Sequence, residues 1–91
     1  MTAKVEIYTW NNCPFCIRAK GLLTAKGVQF TEYKIDGDEE ARRKMAIRAN
    51  GKRSVPQIFI NDVHIGGCDD IHDLNSRGGL DPLLQNSGDQ Q

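Results

Sequence analysis

The sequence predicts an α/β domain built on a four-stranded mixed sheet, in the order βαβαββα, with helices on both faces. Three observations predict it. Strand and helix patterns alternate through the first half of the chain, which is the grammar of a parallel βαβ unit with a right-handed crossover. Two short β-rich runs then flank Asn61-Asp62, a two-residue hairpin signal that adds antiparallel strands. Finally, 91 residues leave room for one domain, expected over residues 1–85, with a loose polar tail at 86–91.

The elements follow in order. Residues 4–9 place Val5 and Ile7 on one face at period two, a first strand. Pro14 is a helix-starting proline with Cys13 at or near the N-cap; Ile17, Ala19, Leu22 and Leu23 supply the apolar stripe, and Gly27 closes the helix. Residues 28–35 alternate β-branched and aromatic residues with polar ones, a second strand. Asp36-x-x-Glu39 resembles a capping box before a helix over about 39–49, stopped by Asn50-Gly51. Gln57–Ile60 and residues 63–65 form the hairpin, which Gly66-Gly67 ends. Asp69 or Asp70 is expected to cap a short helix through Leu74, and Asp81-Pro82 to open another over Leu83 and Leu84.

Composition narrows the function. Hydrophobic residues are 38% and charged residues 26%, an ordinary globular balance. No unbroken apolar run exceeds three residues, against roughly 20 for a membrane span. The first residues are charged early and lack an apolar core, so no secretory signal is expected and the compartment is expected to be the cytoplasm. Twelve Lys+Arg balance twelve Asp+Glu, which argues against general electrostatic binding to nucleic acid or anionic membrane. The charges are nonetheless segregated: Arg42, Arg43, Lys44, Arg48, Lys52 and Arg53 contain no acid among them, while Arg77 is the only cation after Ser54. Two solvated faces explain most of this; a small anion held by a few central cations is the sharper alternative.

The chemistry centres on cysteine. Three cysteines do not suit a framework of paired structural disulfides, and two of them form Cys13-Pro14-Phe15-Cys16 at the junction of the first strand and first helix. Unpaired N–H groups and the macrodipole at a helix N-terminus stabilise a thiolate, the nucleophile of disulfide exchange. Cys16 lies one turn on, on the same face, where it can resolve a mixed disulfide formed on Cys13. The competing use is metal, since Cys13, Cys16, His64 and Cys68 offer four zinc-type ligands. Pro14 and the strand–helix context favour redox chemistry. A c-type haem would need histidine after the second cysteine, where Ile17 stands. Ser54-Val55-Pro56 precedes the third strand, either as a strand-opening proline or as a cis peptide that exposes the Val55 backbone to a peptide-like ligand. Gly66-Gly67-Cys68-Asp69-Asp70 reads as a glycine turn with an aspartate cap, or as a helix N-terminus that binds a carboxylate.

Together these three segments resemble the dithiol glutaredoxins, close to the small bacterial and cyanobacterial ones, over nearly the whole chain. The resemblance implies a thioredoxin-like fold, a cis Val55-Pro56 peptide, and glutathione as co-substrate with no bound cofactor. It implies Cys13 as nucleophile and Cys16 as resolving thiol, forming the redox disulfide. Glutathione would meet Phe15, Val55, Pro56, Cys68 and Asp69, with Arg43 on its glycyl carboxylate. The implied activity is that of an oxidoreductase reducing protein disulfides and glutathione mixed disulfides, acting as a monomer on disulfide-containing or glutathionylated proteins. The alternative is a carrier holding a metal or iron–sulfur cluster through Cys13 and glutathione; the proline after the first cysteine argues against a cluster. One departure stands out: Trp10 occupies the position, three residues before Cys13, where the family commonly has lysine.

Overall fold

The computed structural model describes residues 3–85; the expected tail at 86–91 lies outside them. Eight elements follow one another: β1 (Val5–Thr9), α1 (Pro14–Ala25), β2 (Thr31–Lys34), α2 (Glu39–Arg48), β3 (Gln57–Ile60), β4 (Val63–Gly66), α3 (Cys68–Ser76) and α4 (Leu80–Gln85). The sheet runs β2-β1-β3-β4, with β1 parallel to β2 and antiparallel to β3, and β3 antiparallel to β4. This is the mixed sheet that the sequence predicts, and the fold is thioredoxin-like. Asn61 and Asp62 both take positive φ (52° and 67°), the backbone a two-residue hairpin needs to match strand twist.

Alternation along β1 and β3 divides the molecule into two layers. Val5 and Ile7 with Ile58 and Ile60 face α1, α3 and α4, where Ala19, Leu23, Ile71, Leu80 and Leu84 close the larger core. The opposite face carries Glu6, Tyr8, Gln57 and Phe59 toward α2. A second apolar cluster there joins Met45 and Ile35 to Cys13, Cys16 and Val55, with Tyr8, Trp10 and Ala41 packed against it. Its polar part is held by Arg48, which bonds Glu6 (3.0 Å) and the Tyr8 hydroxyl (2.9 Å) and lies 4.0 Å over the Phe59 ring. The Arg48 guanidinium holds the Glu6 carboxyl below its ordinary range against the opposing effect of burial, helped by the Tyr33 hydroxyl.

Three boundaries differ from expectation. The second strand is shorter than residues 28–35, because β1 offers partners only to Thr31–Lys34; Val28 instead donates its N–H to Leu23 at the end of α1. The cap of α2 is Asp38, not Asp36: its carboxylate accepts the Ala41 N–H at 3.0 Å, while Asp36 accepts from Asn11 in the loop before Cys13. Helix α3 begins at Cys68 with Gly67 as its cap, and Asp70 works from inside the first turn, accepting the Gly67 N–H at 2.9 Å. The two short helices expected after the hairpin are both present, separated by a turn whose Gly79 N–H returns to the Leu74 carbonyl.

Candidate active site

Cys13 caps α1 in an extended conformation (φ −118°, ψ 98°), and Pro14 supplies the first helical residue without sacrificing a hydrogen bond. The Cys13 sulfur accepts the Cys16 N–H at 3.1 Å, and the Ile17 N–H bonds the Cys13 carbonyl at 3.1 Å. The two sulfurs are joined as a disulfide, with Cα atoms 5.2 Å apart. Once that bond opens, the same N–H donor and the helix dipole favour negative charge on the Cys13 sulfur. Exposure separates the pair: Cys13 keeps 7% of its surface and Cys16 only 1%. An incoming disulfide therefore meets Cys13 first.

Beside the disulfide lies a cleft of about 310 Å³ lined by Phe15, Ser54, Val55, Pro56, Gly67, Cys68, Asp69 and Asp70. Three separate segments build it. The helix start contributes Phe15, half exposed, with the Arg18 guanidinium 6.0 Å from its ring. The loop before β3 contributes a cis Val55-Pro56 peptide, whose Val55 carbonyl lies 4.0 Å from the Cys13 sulfur. The third wall is the N-terminus of α3. It approaches so closely that a Cβ on Gly67 would stand 3.3 Å from the Pro56 carbonyl oxygen, a tight contact that a glycine avoids.

The structure thus brings Phe15, Val55, Pro56, Cys68 and Asp69 together beside Cys13 and Cys16. What Cys68 presents there is backbone. Its side chain is buried, 3.5 Å from His72 Nδ1, and burial pushes the thiol up, Arg18 opposing and Asp69 reinforcing. Arg43 is not brought to this cleft: its guanidinium is exposed on α2 and bound to Glu40 at 2.6 Å. Its neighbour Arg42 packs on Trp10, which itself packs against the cysteine cluster. It lies 5.1 Å over the Trp10 ring, its Nε donates to the Arg53 carbonyl at 2.9 Å, and with Trp10, Ile35, Gly37, Asp38 and Glu39 it lines a smaller hollow of about 120 Å³.

The zinc arrangement does not assemble. His64 points its ring nitrogens at Gln57 and Asn50, and Cys68 turns to His72. Among the described residues, no three His, Cys, Asp or Glu side chains converge as a metal cage.

Comparison with known proteins decides the family. The glutaredoxin family model matches residues 5–65. This chain belongs to the glutaredoxin family. A probable glutaredoxin of Synechocystis is 69% identical over 84 residues, covering 92% of this chain and 96% of the relative. Glutaredoxin 3 of Escherichia coli K12 is 58% identical over 83 residues, 91% of this chain and 99% of that protein. Among solved structures, the buckwheat glutaredoxin–glutathione complex superposes with a TM-score of 0.83 at 27% identity, covering 90% of this chain and 76% of the other. The chain is accordingly a glutathione-dependent thiol–disulfide oxidoreductase with glutathione as substrate, and the metal-carrier reading is not favoured. No helix among the described residues is long and apolar enough to cross a membrane.

Proposed function

We propose that the glutathionyl group lies along the cleft, with its sulfur at Cys13. Val55 pairs its backbone with the cysteinyl segment, and Phe15 and Pro56 form the apolar walls. The free N–H groups of Cys68 and Asp69 take the γ-glutamyl carboxylate, and the Asp69 carboxylate holds the ammonium. The glycyl carboxylate was expected on Arg43; the position of Arg42 above Trp10 moves it to Arg42 in this reading. The observation that carries the proposal is the convergence of the helix start, the cis-proline turn and the N-terminus of α3 on one cleft beside the Cys13 sulfur.

Two cycles follow. In the first, the Cys13 thiolate attacks the glutathionyl sulfur of a glutathionylated protein. The protein–glutathione S–S bond breaks, the protein thiolate leaves and takes a proton, and Cys13 holds the glutathionyl group. A glutathione thiolate attacks that group, releasing glutathione disulfide and the Cys13 thiolate. In the second, Cys13 forms a mixed disulfide with a protein substrate, and Cys16 attacks Cys13 to release the reduced protein. The Cys13–Cys16 disulfide left behind is reopened by two glutathione molecules. Glutaredoxin pairs as a class sit at roughly −200 to −230 mV, within reach of the glutathione pool. We place the protein in the cytoplasm as a single-domain monomer without a resident cofactor, acting on disulfide-containing and glutathionylated proteins.

The test separates the two cysteines. Cys13→Ser should abolish both cycles, because a hydroxyl does not replace a thiolate at neutral pH. Cys16→Ser should keep deglutathionylation, lose reduction of a protein disulfide, and accumulate one glutathionyl adduct by mass in a Cys68→Ser background. If Cys16→Ser loses deglutathionylation as fully as Cys13→Ser, the attacker–resolver assignment is wrong.

A further inference from the structure

The cleft depends on a backbone segment, residues 54–55, that belongs to no helix or strand. Its orientation has a visible cause. Gln57, only 1% exposed, donates from Nε2 to the Ser54 carbonyl at 3.0 Å. Its Oε1 lies 2.7 Å from His64 Nε2, and His64 Nδ1 lies 3.1 Å from the Asn50 amide nitrogen. Only one proton arrangement satisfies all three contacts. The Asn50 amide donates to Nδ1, so the ring is neutral with its hydrogen on Nε2, and that hydrogen is donated to Gln57. The His64 ring packs against Phe59 with centroids 5.2 Å apart and planes tilted by 37°. A chain of directed hydrogen bonds thus runs from the end of α2 to the cis-proline turn.

We propose that Gln57 and His64 are positioning residues for glutathione: they orient the Ser54–Val55 peptide so that the Val55 N–H is presented to the cleft. The inference rests on the reading in which Val55 pairs with the cysteinyl segment. The Ser54–Val55 bond is not among the cis peptides, so its C=O and N–H point in opposite directions. Holding the Ser54 carbonyl from the sheet side directs the Val55 N–H the other way, toward the wall that Val55 lines. Protonation of His64 would put a second donor against the Asn50 amide and break the chain at its far end. Burial disfavours that charge, Lys52 adds to the effect and Asp70 on α3 opposes it, while Arg48 lies across the Phe59 ring.

The experiment is an NMR titration of reduced protein with S-methylglutathione, which binds without exchanging sulfur, following the Val55 amide, together with steady-state kinetics on a small glutathione mixed disulfide. His64→Phe keeps the ring stack on Phe59 and removes both nitrogens; it should bind about fivefold more weakly, with KM rising and kcat nearly unchanged. Gln57→Leu should show the same loss and stands in if His64→Phe does not fold. His64→Gln restores a donor to Gln57 and cannot titrate, so its affinity should stay near that of the wild type. The wild type should weaken relative to His64→Gln as pH falls from about 7.5 to 5, both proteins sharing the Cys13 thiol as a common background. Wild-type affinity in folded His64→Phe or Gln57→Leu, or an identical pH profile in His64→Gln, overturns the proposal. A Val55 amide that does not shift in the wild-type titration overturns the Val55 placement itself and this inference with it, and that result is read without any variant.

Discussion

Replacing Arg42 by alanine removes a cation that the fold has already oriented. Its side chain is 35% exposed, the guanidinium is stacked on Trp10, and its Nε is fixed by the Arg53 carbonyl, while the nearest carboxylate, Glu39, is 4.0 Å away and is also bound at 3.0 Å by Arg53. The guanidinium nitrogens therefore reach a ligand carboxylate with little further ordering. A partly exposed, solvent-screened contact of this kind is worth about 0.5–1.5 kcal/mol, or roughly two- to tenfold. On the proposed placement the contact is made in both the ground and transition states, so the loss should appear as a raised KM for glutathione with kcat nearly unchanged. Arg43→Ala is the internal control: its fork is occupied by Glu40 at 2.6 Å on the exposed side of α2, and the change in KM should stay below about twofold. The assay is steady-state deglutathionylation at low and high ionic strength, where the Arg42 effect should shrink as salt screens it. An effect in Arg43→Ala without one in Arg42→Ala would refute the placement of the glycyl carboxylate.

Three further outcomes follow from the geometry. Trp10 packs against the cluster holding both cysteines, so its fluorescence should change between reduced and oxidised protein and not in Cys13→Ser; identical spectra would detach it from the site. Arg48→Met leaves the Glu6 carboxylate, 9% exposed, without its main partner, and should cost about 2–3 kcal/mol, roughly 10–20 °C in Tm by calorimetry, with Glu6→Gln recovering part of it. Because Arg48 depresses the Glu6 carboxyl, the stabilisation is complete above its ordinary value of 4.5 and is lost as pH falls through the lower folded value; urea midpoints of Arg48→Met should therefore fall less steeply in that acid window. Gly66→Ala should lower Tm and loosen the ligand, since Gly66 holds φ +123° and a Cβ there would stand 2.7 Å from Asp70 Cγ, displacing the carboxylate that caps Gly67; an unchanged melt would dismiss the cap as a support of this wall.

The strand faces and the order of elements were legible because Val5, Ile7, Ile58 and Ile60 alternate cleanly and Asn61-Asp62 tolerates positive φ. The dithiol site was legible because proline and cysteine at a strand–helix junction leave little freedom. Where the reading slipped, the missing information was mutual rather than local. Nothing within residues 28–35 reveals that β1 offers only four partners. Which of Arg42 and Arg43 lies at the packed edge of α2 turns on helix phase. Met45, Ala46 and Ala49 are buried, which puts Arg42 one turn before Met45 and Ala46 at the edge of the packed face; Arg43 lies one turn before Ile47, which is 70% exposed. That stripe is present in the sequence. The Asn50–His64–Gln57 chain was not recoverable, since it joins residues from three segments through side chains whose directions only the folded sheet sets.

Helix α2 is keyed to the sheet by directional contacts as well as by oily packing, because Arg48 engages a carboxylate, a phenol and an aromatic face at once. Adjacent residues on a helix differ by about 100° in azimuth. A roll of α2 of about that size would put Arg43 where Arg42 now lies over Trp10. Which arginine stands on Trp10 beside the cysteine cluster is thus set at the other end of the helix, by the contact of Arg48 with Glu6 on the floor of the sheet.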